Sequence, residues 1–504
     1  MQTTDCFGGP AMTHDVLQYK SATQRKPHRS TLAGYIKLLL YFTIILYKYR
    51  RIFIQHFCNC IFMIYNTEIE TMPHNKMRKL QSQRFVELVQ YLYRNQPFYK
   101  KQWNENGIDI NKIKGIRDIT RFPFTCKDDL RNNYPFGMLA VPQPEVNRIH
   151  CSSGSTGKPT VVGYTKNDIA IFSEVVARSL CCAGAAPGMK LHNAYGYGLF
   201  TGGLGLHYGA ELLNMCVIPV SGGMTERQIM LLQDFKSEMI SCTPSYALVL
   251  ADAIRKIDPE LKTINLKYAV LGAEPWTEAI RKEVEEKLHV TATNIYGLSE
   301  IMGPGISQED YEEKNGSHIW EDHFYPEVID AVTKEPLPEG KDGILVFTTL
   351  TKKAMPLMRY ITNDICNIFY DKKSKRTHIK MSGIKGRHDD MLIIRGVNLF
   401  HTQVEALLEH HPEFSNNYQL IVEKENKLDK VTVAIELHEM IYKEMGTAIE
   451  DIQQSNEYLQ RLKGKLSERI KNNIGLSMDI ILKDFNSLPK SEGGKLKRIV
   501  DKRQ

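Results

Sequence analysis

No apolar run in the sequence is long enough to span a bilayer, which takes roughly 20 residues. Residues 38–47 (LLLYFTIILY) are apolar but are followed at once by Lys48, Arg50 and Arg51, and residues 52–65 are interrupted by Gln55, His56 and Asn59. A secretory signal would place its apolar run nearer the start, ahead of a small-residue cleavage site, and neither feature is clear. The ten cysteines include no repeated CxxC pair, and neither the vicinal Cys181 and Cys182 nor the spaced Cys58 and Cys60 match an ordinary zinc-ligand spacing. A reducing cytoplasm is therefore the expected compartment. Charge of one sign is not in excess either: 65 basic and 58 acidic residues leave a net charge of +7. That mild bias argues against a nucleic-acid stripe and suits polyanionic small molecules. No internal repeat or low-complexity tract is present.

What is present reads as an ordinary globular chain, 42% hydrophobic and 24% charged. At 504 residues it is long for one core, so two or three structural units are expected. Residues 1–62 differ in character from the rest. They are expected to be an atypical extension, either not translated or poorly structured, with Met63 as a candidate start and a membrane-surface anchor as the alternative.

From Met63 onward the pattern is mixed α/β. Residues 77–95 carry apolar side chains at helical spacing and stop before Pro97, which predicts an amphipathic helix. Residues 122–125 break the pattern, and residues 126–132 resume as polar helix or loop. Residues 267–271 and 343–350 are short apolar or β-branched runs that read as buried strands. Beyond residues 386–390 the spacing predicts a smaller α+β unit, with helices over 403–410 and 449–471 and a hairpin pairing 419–423 with 431–437.

The segment Cys151-Ser-Ser-Gly-Ser-Thr-Gly-Lys-Pro-Thr160 concentrates hydroxyls, glycines and a lysine. Backbone amides and the hydroxyls of Ser152, Ser153, Ser155 and Thr156, with Gly154 and Gly157 permitting close approach, could surround a phosphate chain while Lys158 supplies charge. It is not the common triphosphate loop, which places four residues between its first glycine and the Gly-Lys pair and then opens a helix. Here Pro159 and a β-like stretch follow. Alone, such a string is more often a surface turn. Its company decides: GAEPW at 272–276, NIYGLSE at 294–300, RYITND at 359–364, GRHDD at 386–390, and LPKSEGGK at 488–495 with Arg498 follow in order.

This succession resembles the adenylate-forming superfamily of acyl-CoA synthetases. The strings YPFG (134–137), WEDHFYP (320–326), FTTLT (347–351), RTH (376–378) and DMLIIRGVN (390–398) resemble, more closely, its phenylacetate-CoA ligases. The likeness spans residues 63–504 and leaves residues 1–62 outside it. It implies an α/β fold with a large AMP-binding domain over 63–388 and a smaller mobile α+β domain over 389–504. It also implies an acid–thiol ligase: ATP activates a carboxylic acid as its acyl-AMP with loss of pyrophosphate, and coenzyme A then takes the acyl group.

The resemblance assigns roles residue by residue. Ser152 to Lys158 become the phosphate cradle, Lys158 also being catalytic, and Glu300 the carboxylate for Mg2+, a hard ligand for a hard cation. Tyr296 offers a flat ring to adenine, bordered by Glu274 and Pro275. Asp364 would accept from the ribose hydroxyls, and Arg387 would reach ribose or phosphate. Lys495, after two glycines, would stabilise charge during adenylation, and Asp389 would be the hinge for domain rotation. The bland alternatives are a packing tyrosine, turn or helix-start acids, an exposed linker and a solvated lysine.

Tyr197, Phe200, Gly202 and Ala273 are expected to line the acid pocket. Yet the run YGYGLFTGGLGLHYG (195–209), which also holds His207, could equally be a tightly packed helix-to-strand junction. The substrates implied are ATP, coenzyme A and an aryl acid, phenylacetate first. The expected protein is cytoplasmic, a monomer or homodimer, without nucleic-acid or membrane contact. Alternatives are an indoleacetate-CoA ligase, a CoA-independent enzyme of the factor-390 synthetase type, or a non-catalytic nucleotide-binding or capsule-associated protein. The retained Lys158, Glu300, Asp364, Arg387 and Lys495 argue against the last. Two departures from the family are visible: Lys372, Lys373 and Lys375 stand where some relatives carry cysteines, so no zinc is expected there, and Ile361 stands where arginine is common.

Overall fold

The computed structural model describes residues 64–152, 160–388, 392–394, 397–399, 401–408, 411–425, 428–446, 448–488 and 498–503. The expectations for residues 1–62 lie outside the described residues. The first long helix, α1 (His74–Asn95), begins after Pro73 and ends at the Gln96-Pro97 step. It buries Met77, Gln81, Phe85, Leu88, Val89 and Leu92, the stripe that its periodicity predicts.

Strands β1 (Arg148–Ser152) and β2 (Thr160–Tyr164) pair antiparallel, Ser152 opposite Thr160, so that the phosphate-cradle segment joins the two arms of one hairpin. Next come α2 (Lys166–Cys182), β3 (Lys190–Asn193), α3 (Thr201–Leu212), β4 (Cys216–Ile218), α4 (Thr225–Phe235) and β5 (Met239–Cys242). They are followed by α5 (Pro244–Ile257), β6 (Tyr268–Gly272), α6 (Glu278–Leu288), β7 (Thr291–Leu298), β8 (Gly303–Glu309) and β9 (Ser317–Ile319). Strands β10 (Phe324–Ile329), β11 (Gly343–Thr349), β12 (Tyr360–Cys366), β13 (Ile368–Phe369), β14 (Lys380–Met381) and β15 (Gly386–Arg387) complete this part.

The main sheet runs β13-β14-β9-β8-β7-β6-β5-β3-β4, and the stretch from β7 to β4 is parallel. Strand side chains alternate between faces. Met239, Val270 and Ile295 therefore pack with the α2 and α3 side chains, while Ile240, Ala269, Leu271 and Ala292 pack with those of α4, α5 and α6. Burial on both faces explains why these strands read as continuous apolar runs. A second sheet, β10-β11-β12-β15, is antiparallel throughout, and every residue of β11 is buried.

The C-terminal part has its own core. Strands β16 (Leu392–Ile394) and β17 (Val397–Leu399) precede the hairpin of β18 (Phe414–Glu425) and β19 (Leu428–Leu437). Leu420, Val422, Val433 and Ile435 of that hairpin pack with Leu462 and Leu466 of α7 (Glu457–Ile474). The strands β20 (Asp479–Lys483) and β21 (Ile499–Asp501) flank the hairpin in parallel. The helix expected over 449–471 is two: Ile449–Ile452 and α7. Asn456 causes the restart, its side chain accepting from the Leu459 amide as an N-cap.

Candidate active site

Strand β7 delivers the NIYGLSE segment to one end of the parallel sheet. Its exit into β8 needs glycine at 297, where a Cβ would lie 2.1 Å from the Gly303 carbonyl oxygen. The turn that follows carries Glu300, which is 4% exposed, with Oε1 3.9 Å from the Lys127 ammonium at the start of the helix Lys127–Asn132. The Tyr164 hydroxyl donates to the carbonyls of Met302 (2.7 Å) and Ser299 (3.3 Å), and the Ser299 hydroxyl meets that of Thr201 at 3.0 Å. Lys352, 1% exposed, donates to the carbonyls of Ile301 (2.8 Å) and Glu300 (3.2 Å).

The donor set fits magnesium. Among the described residues no group of three or more His, Cys, Asp or Glu side chains converges. A single hard carboxylate such as Glu300 is what that ion uses when waters and phosphate oxygens complete its octahedron.

A second group forms where the two sheets approach. The Tyr296 hydroxyl donates to Asp364 Oδ2 at 2.6 Å, and its ring lies tilted 6.3 Å from that of Phe347. Burial, then the Asp364 charge, push the Tyr296 phenol well above its ordinary range. Asp364 and Arg387 are register partners across β12 and β15, with Nη1 and Oδ1 4.0 Å apart. Asn363, left-handed at φ 65°, turns its carbonyl to the His388 amide at 2.7 Å, which ties this group to the residue before Asp389. Tyr296 and Glu300 lie four residues apart on the segment that β7 delivers, which links the two groups.

Elsewhere the structure redistributes what the sequence suggests. Glu274 is expected beside adenine, and its carboxylate accepts from the Ser245 amide at 2.6 Å, capping the start of α5. Ala273 before it is exposed and holds a left-handed φ of 70°, a strained choice for a residue with a Cβ. Pro275 is exposed.

The run 195–209 has two parts. Its later half is α3, where a Cβ on Gly205 or Gly209 would sit 2.4 Å from Phe172 or 2.3 Å from Val176 of α2; this half is a close helix contact. Its earlier half is open: Phe200 is 41% exposed and covers Gly202, while Leu199 turns its carbonyl to the Cys151 amide at 3.0 Å, beside the cradle segment. Tyr197 accepts from Asn193 at 2.7 Å and meets His207 Nδ1 at 3.2 Å, a polar relay.

Tyr296, Asp364, Arg387 and Glu300 are thus brought together. Of Ser152 only the backbone, as the last residue of β1, is described. Ser153, Gly154, Ser155, Thr156, Gly157, Lys158, Asp389 and Lys495 lie outside the described residues.

Sequence reasoning missed three residues. Lys127 follows the proline break at 122–125, which signals a turn into a site, and Lys352 directly follows the FTTLT string. Tyr195 sits buried beside Gly272, its hydroxyl short of a well-formed hydrogen bond, and burial raises it well above its ordinary range. Only its place in the glycine-rich run hinted at it.

The chain is similar to known proteins over most of its length. The AMP-binding enzyme family matches residues 54–351, and the AMP-binding enzyme C-terminal domain matches residues 396–503. The phenylacetate-coenzyme A ligase of Thermus thermophilus is 56% identical over 88% of this chain and 100% of its own length. That of Escherichia coli is 45% identical over 88% and 99%. Among solved structures, 2-hydroxyisobutyryl-CoA ligase in the postadenylation state with 2-HIB-AMP superimposes with a TM-score of 0.80 at 26% identity, over 88% of this chain and 93% of that one. The same enzyme with CoA in the thioesterification state gives 0.64 at 25% identity over the same shares.

Proposed function

The chain belongs to the AMP-binding enzymes and, among them, to the phenylacetate-coenzyme A ligase family, and on that footing we propose that it converts phenylacetate to its coenzyme A thioester. The observation that carries this reading is the 56% identity over the whole length of the Thermus ligase. It favours phenylacetate over indoleacetate, and thioester formation over adenylation without coenzyme A.

The reaction has two halves. A phenylacetate oxygen attacks the α-phosphorus of ATP, the bond to the bridging oxygen of pyrophosphate breaks, and acyl-AMP forms. The coenzyme A thiolate then attacks the acyl carbon, and AMP leaves with the electron pair of the former anhydride bond. Glu300 would hold magnesium, which when bound supplies charge neutralisation to the phosphates.

The proposed roles rest on placement and residue chemistry. Asp364, oriented by the Tyr296 hydroxyl, would also accept from the ribose hydroxyls, since a carboxylate offers about four acceptor sites. Arg387 is 34% exposed at its side chain, so its guanidinium can turn toward ribose or phosphate. Phe200 and Gly202, with Ala273 and Tyr195, suit the wall of an aryl pocket, and Tyr197 orients through Asn193 and His207. Lys158 and the hydroxyls from Ser152 to Thr156 cradle phosphate, and Lys495 enters for adenylation.

We assign the large domain to 63–388, the small one to 389–504 and the hinge to Asp389. The better superposition on a postadenylation structure than on a thioesterification structure supports two such bodies. The cytoplasm, where ATP and coenzyme A are both at hand, is the proposed compartment, and a monomer or homodimer the proposed state. No described helix is long and apolar enough to cross a membrane.

The test uses the full chain with ATP, magnesium and a panel of phenylacetate, indoleacetate and fatty acids, following pyrophosphate and AMP with and without coenzyme A. Phenylacetate should give the highest kcat/KM, with thioester appearing only when coenzyme A is present. Failure to turn over any acid would sink the proposal, and acid-dependent AMP transfer without coenzyme A consumption would move the chain to the factor-390 type.

A further inference from the structure

A lysine buried to 1% exposure is costly unless its ammonium is well used. Lys352 points its Nζ at the carbonyls of Glu300 and Ile301, 3.2 and 2.8 Å away, and lies 4.7 Å from the centre of the Tyr164 ring. Both contacts lead toward chemistry. The two carbonyls belong to the turn that carries Glu300. Tyr164 is the last residue of β2, the strand that leaves the cradle segment, and its hydroxyl grips the same turn at Ser299 and Met302.

The root of Lys352 is fixed as well. Asp168, buried at the start of α2, accepts from the amides of Lys353 (2.7 Å), Ala354 (2.8 Å) and Thr165 (2.9 Å). The stretch after β11, the start of α2, the exit of the cradle and the Glu300 turn are therefore clamped to one another through one ammonium, one phenol and the Asp168 carboxylate. An apolar side chain of similar length would fill the same space without the desolvation cost, so filling space does not explain a lysine here.

We propose that Lys352 is a positioning residue for adenylation. It fixes the two peptide planes that follow the Glu300 Cα, Tyr164 holding the one before it, and so the place of the Glu300 carboxylate on this turn. The inference rests on the reading of Glu300 as the magnesium carboxylate. It assigns Lys352 no contact with substrate.

The experiment compares wild type, Lys352→Met, Tyr164→Phe and Glu300→Gln in the full chain. The two half-reactions are measured separately: ATP–pyrophosphate exchange with phenylacetate, and thioester formation from supplied phenylacetyl-AMP and coenzyme A. Calorimetry records ATP binding with and without magnesium, and thermal melting checks folding. Residues that orient a metal-binding side chain are worth on the order of 10- to 100-fold in activity or affinity. Lys352→Met should lower exchange by about that factor and remove the gain in ATP affinity that magnesium gives, while thioester formation stays within about twofold. Tyr164→Phe should do the same more weakly, with a modestly lowered melting temperature.

Equal loss in both halves would make Lys352 a general structural residue and overturn the proposal, as would retention of exchange or of the magnesium-dependent gain in Lys352→Met. If Lys352→Met does not fold, unaltered exchange and magnesium response in a folded Tyr164→Phe would overturn it. A Glu300→Gln variant that keeps the magnesium gain would instead remove the underlying reading of Glu300, a separate failure.

Discussion

Buried carboxylates in this protein meet their cations at two different distances. Arg376 approaches Glu70 to 2.8 Å and also binds Asp310, with Arg376 and Glu70 side chains 1% and 0% exposed. Arg178 meets Asp322 at 2.9 Å, at 2% and 1%. By contrast Lys127 stands 3.9 Å from Glu300 and Arg387 4.0 Å from Asp364, and these cations are 33% and 34% exposed. A carboxylate matched closely by a sealed guanidinium has its capacity taken up by the fold. In the second set the cation beside the acid is half open to solvent, so a ligand can reach it. The two sets are all buried acids by composition, and the solvent access of these cations is what tells them apart.

The largest effect should come from breaking the sealed set. Arg376→Met would leave Glu70 and Asp310 buried without their guanidinium, a loss of about 3–5 kcal/mol in urea denaturation. Arg387→Met, at the open set, should cost under about 1 kcal/mol while weakening ATP binding. Similar stability losses in the two variants would erase the contrast.

Lys495→Ala extends the contrast to a residue outside the described structure. Loss of one preorganised charge at developing negative charge is worth roughly 10²- to 10³-fold, so adenylation should fall by that factor in ATP–pyrophosphate exchange. ATP affinity by calorimetry should hold, because the proposed role belongs to the transition state. Parallel loss of both would return Lys495 to a structural part.

The sealed set was almost illegible in the sequence. Glu70 and Arg376 are 306 positions apart, and nothing in the local pattern of either predicts that they meet. Local order was easier to read: the stripe from Met77 to Leu92 gave α1 to within a turn, and the C-terminal hairpin was recovered with strands longer than expected. Asn456 defeated the helix over 449–471 because polar side chains can stop and restart a helix without proline or glycine.

The site was legible only in pieces. Motif order put Tyr296 and Asp364 in one reaction, but their 2.6 Å contact belongs to the packing of two sheets. Lys352 was missed for the same reason, because an ordinary Thr-Lys-Lys string does not reveal which lysine is sealed from water.

Acid should loosen the surroundings of the sealed Arg178 before it harms the main core, because Arg178 also pairs at 2.5 Å with Glu174, whose side chain is 26% exposed. Burial tends to raise the Glu174 pKa, but hydrogen bonding from His323 and the Arg178 charge outweigh it and hold Glu174 at about 2, against an ordinary 4.5. Its folded pKa is depressed, so its contribution is complete above the unfolded value and is lost as pH falls through the window between the two. The loss is at most roughly 3 kcal/mol. Denaturation midpoints from pH 6 to pH 2 should therefore fall mainly below about pH 4.5. Glu174→Gln should flatten that part of the curve, and an unchanged slope would show that Glu174 adds nothing to the sealed Arg178.

The smallest effect should distinguish the two sets most finely. Tyr296→Phe keeps the ring beside Phe347 and removes only the hydroxyl that donates to Asp364 Oδ2. Were Asp364 a structural acid, losing this donor would cost stability, since hydrogen bonds to charged groups are worth about 1.5–3 kcal/mol when the partner is left unsatisfied. As a nucleotide ligand in a half-open site, Asp364 can take water in place of the phenol, so the stability change should stay below about 1 kcal/mol. What is lost is its fixed orientation toward the ribose. The KM for ATP should then rise about fivefold, roughly 1 kcal/mol, with kcat and the KM for phenylacetate nearly constant. A stability loss with unchanged KM would move Asp364 across to the sealed set.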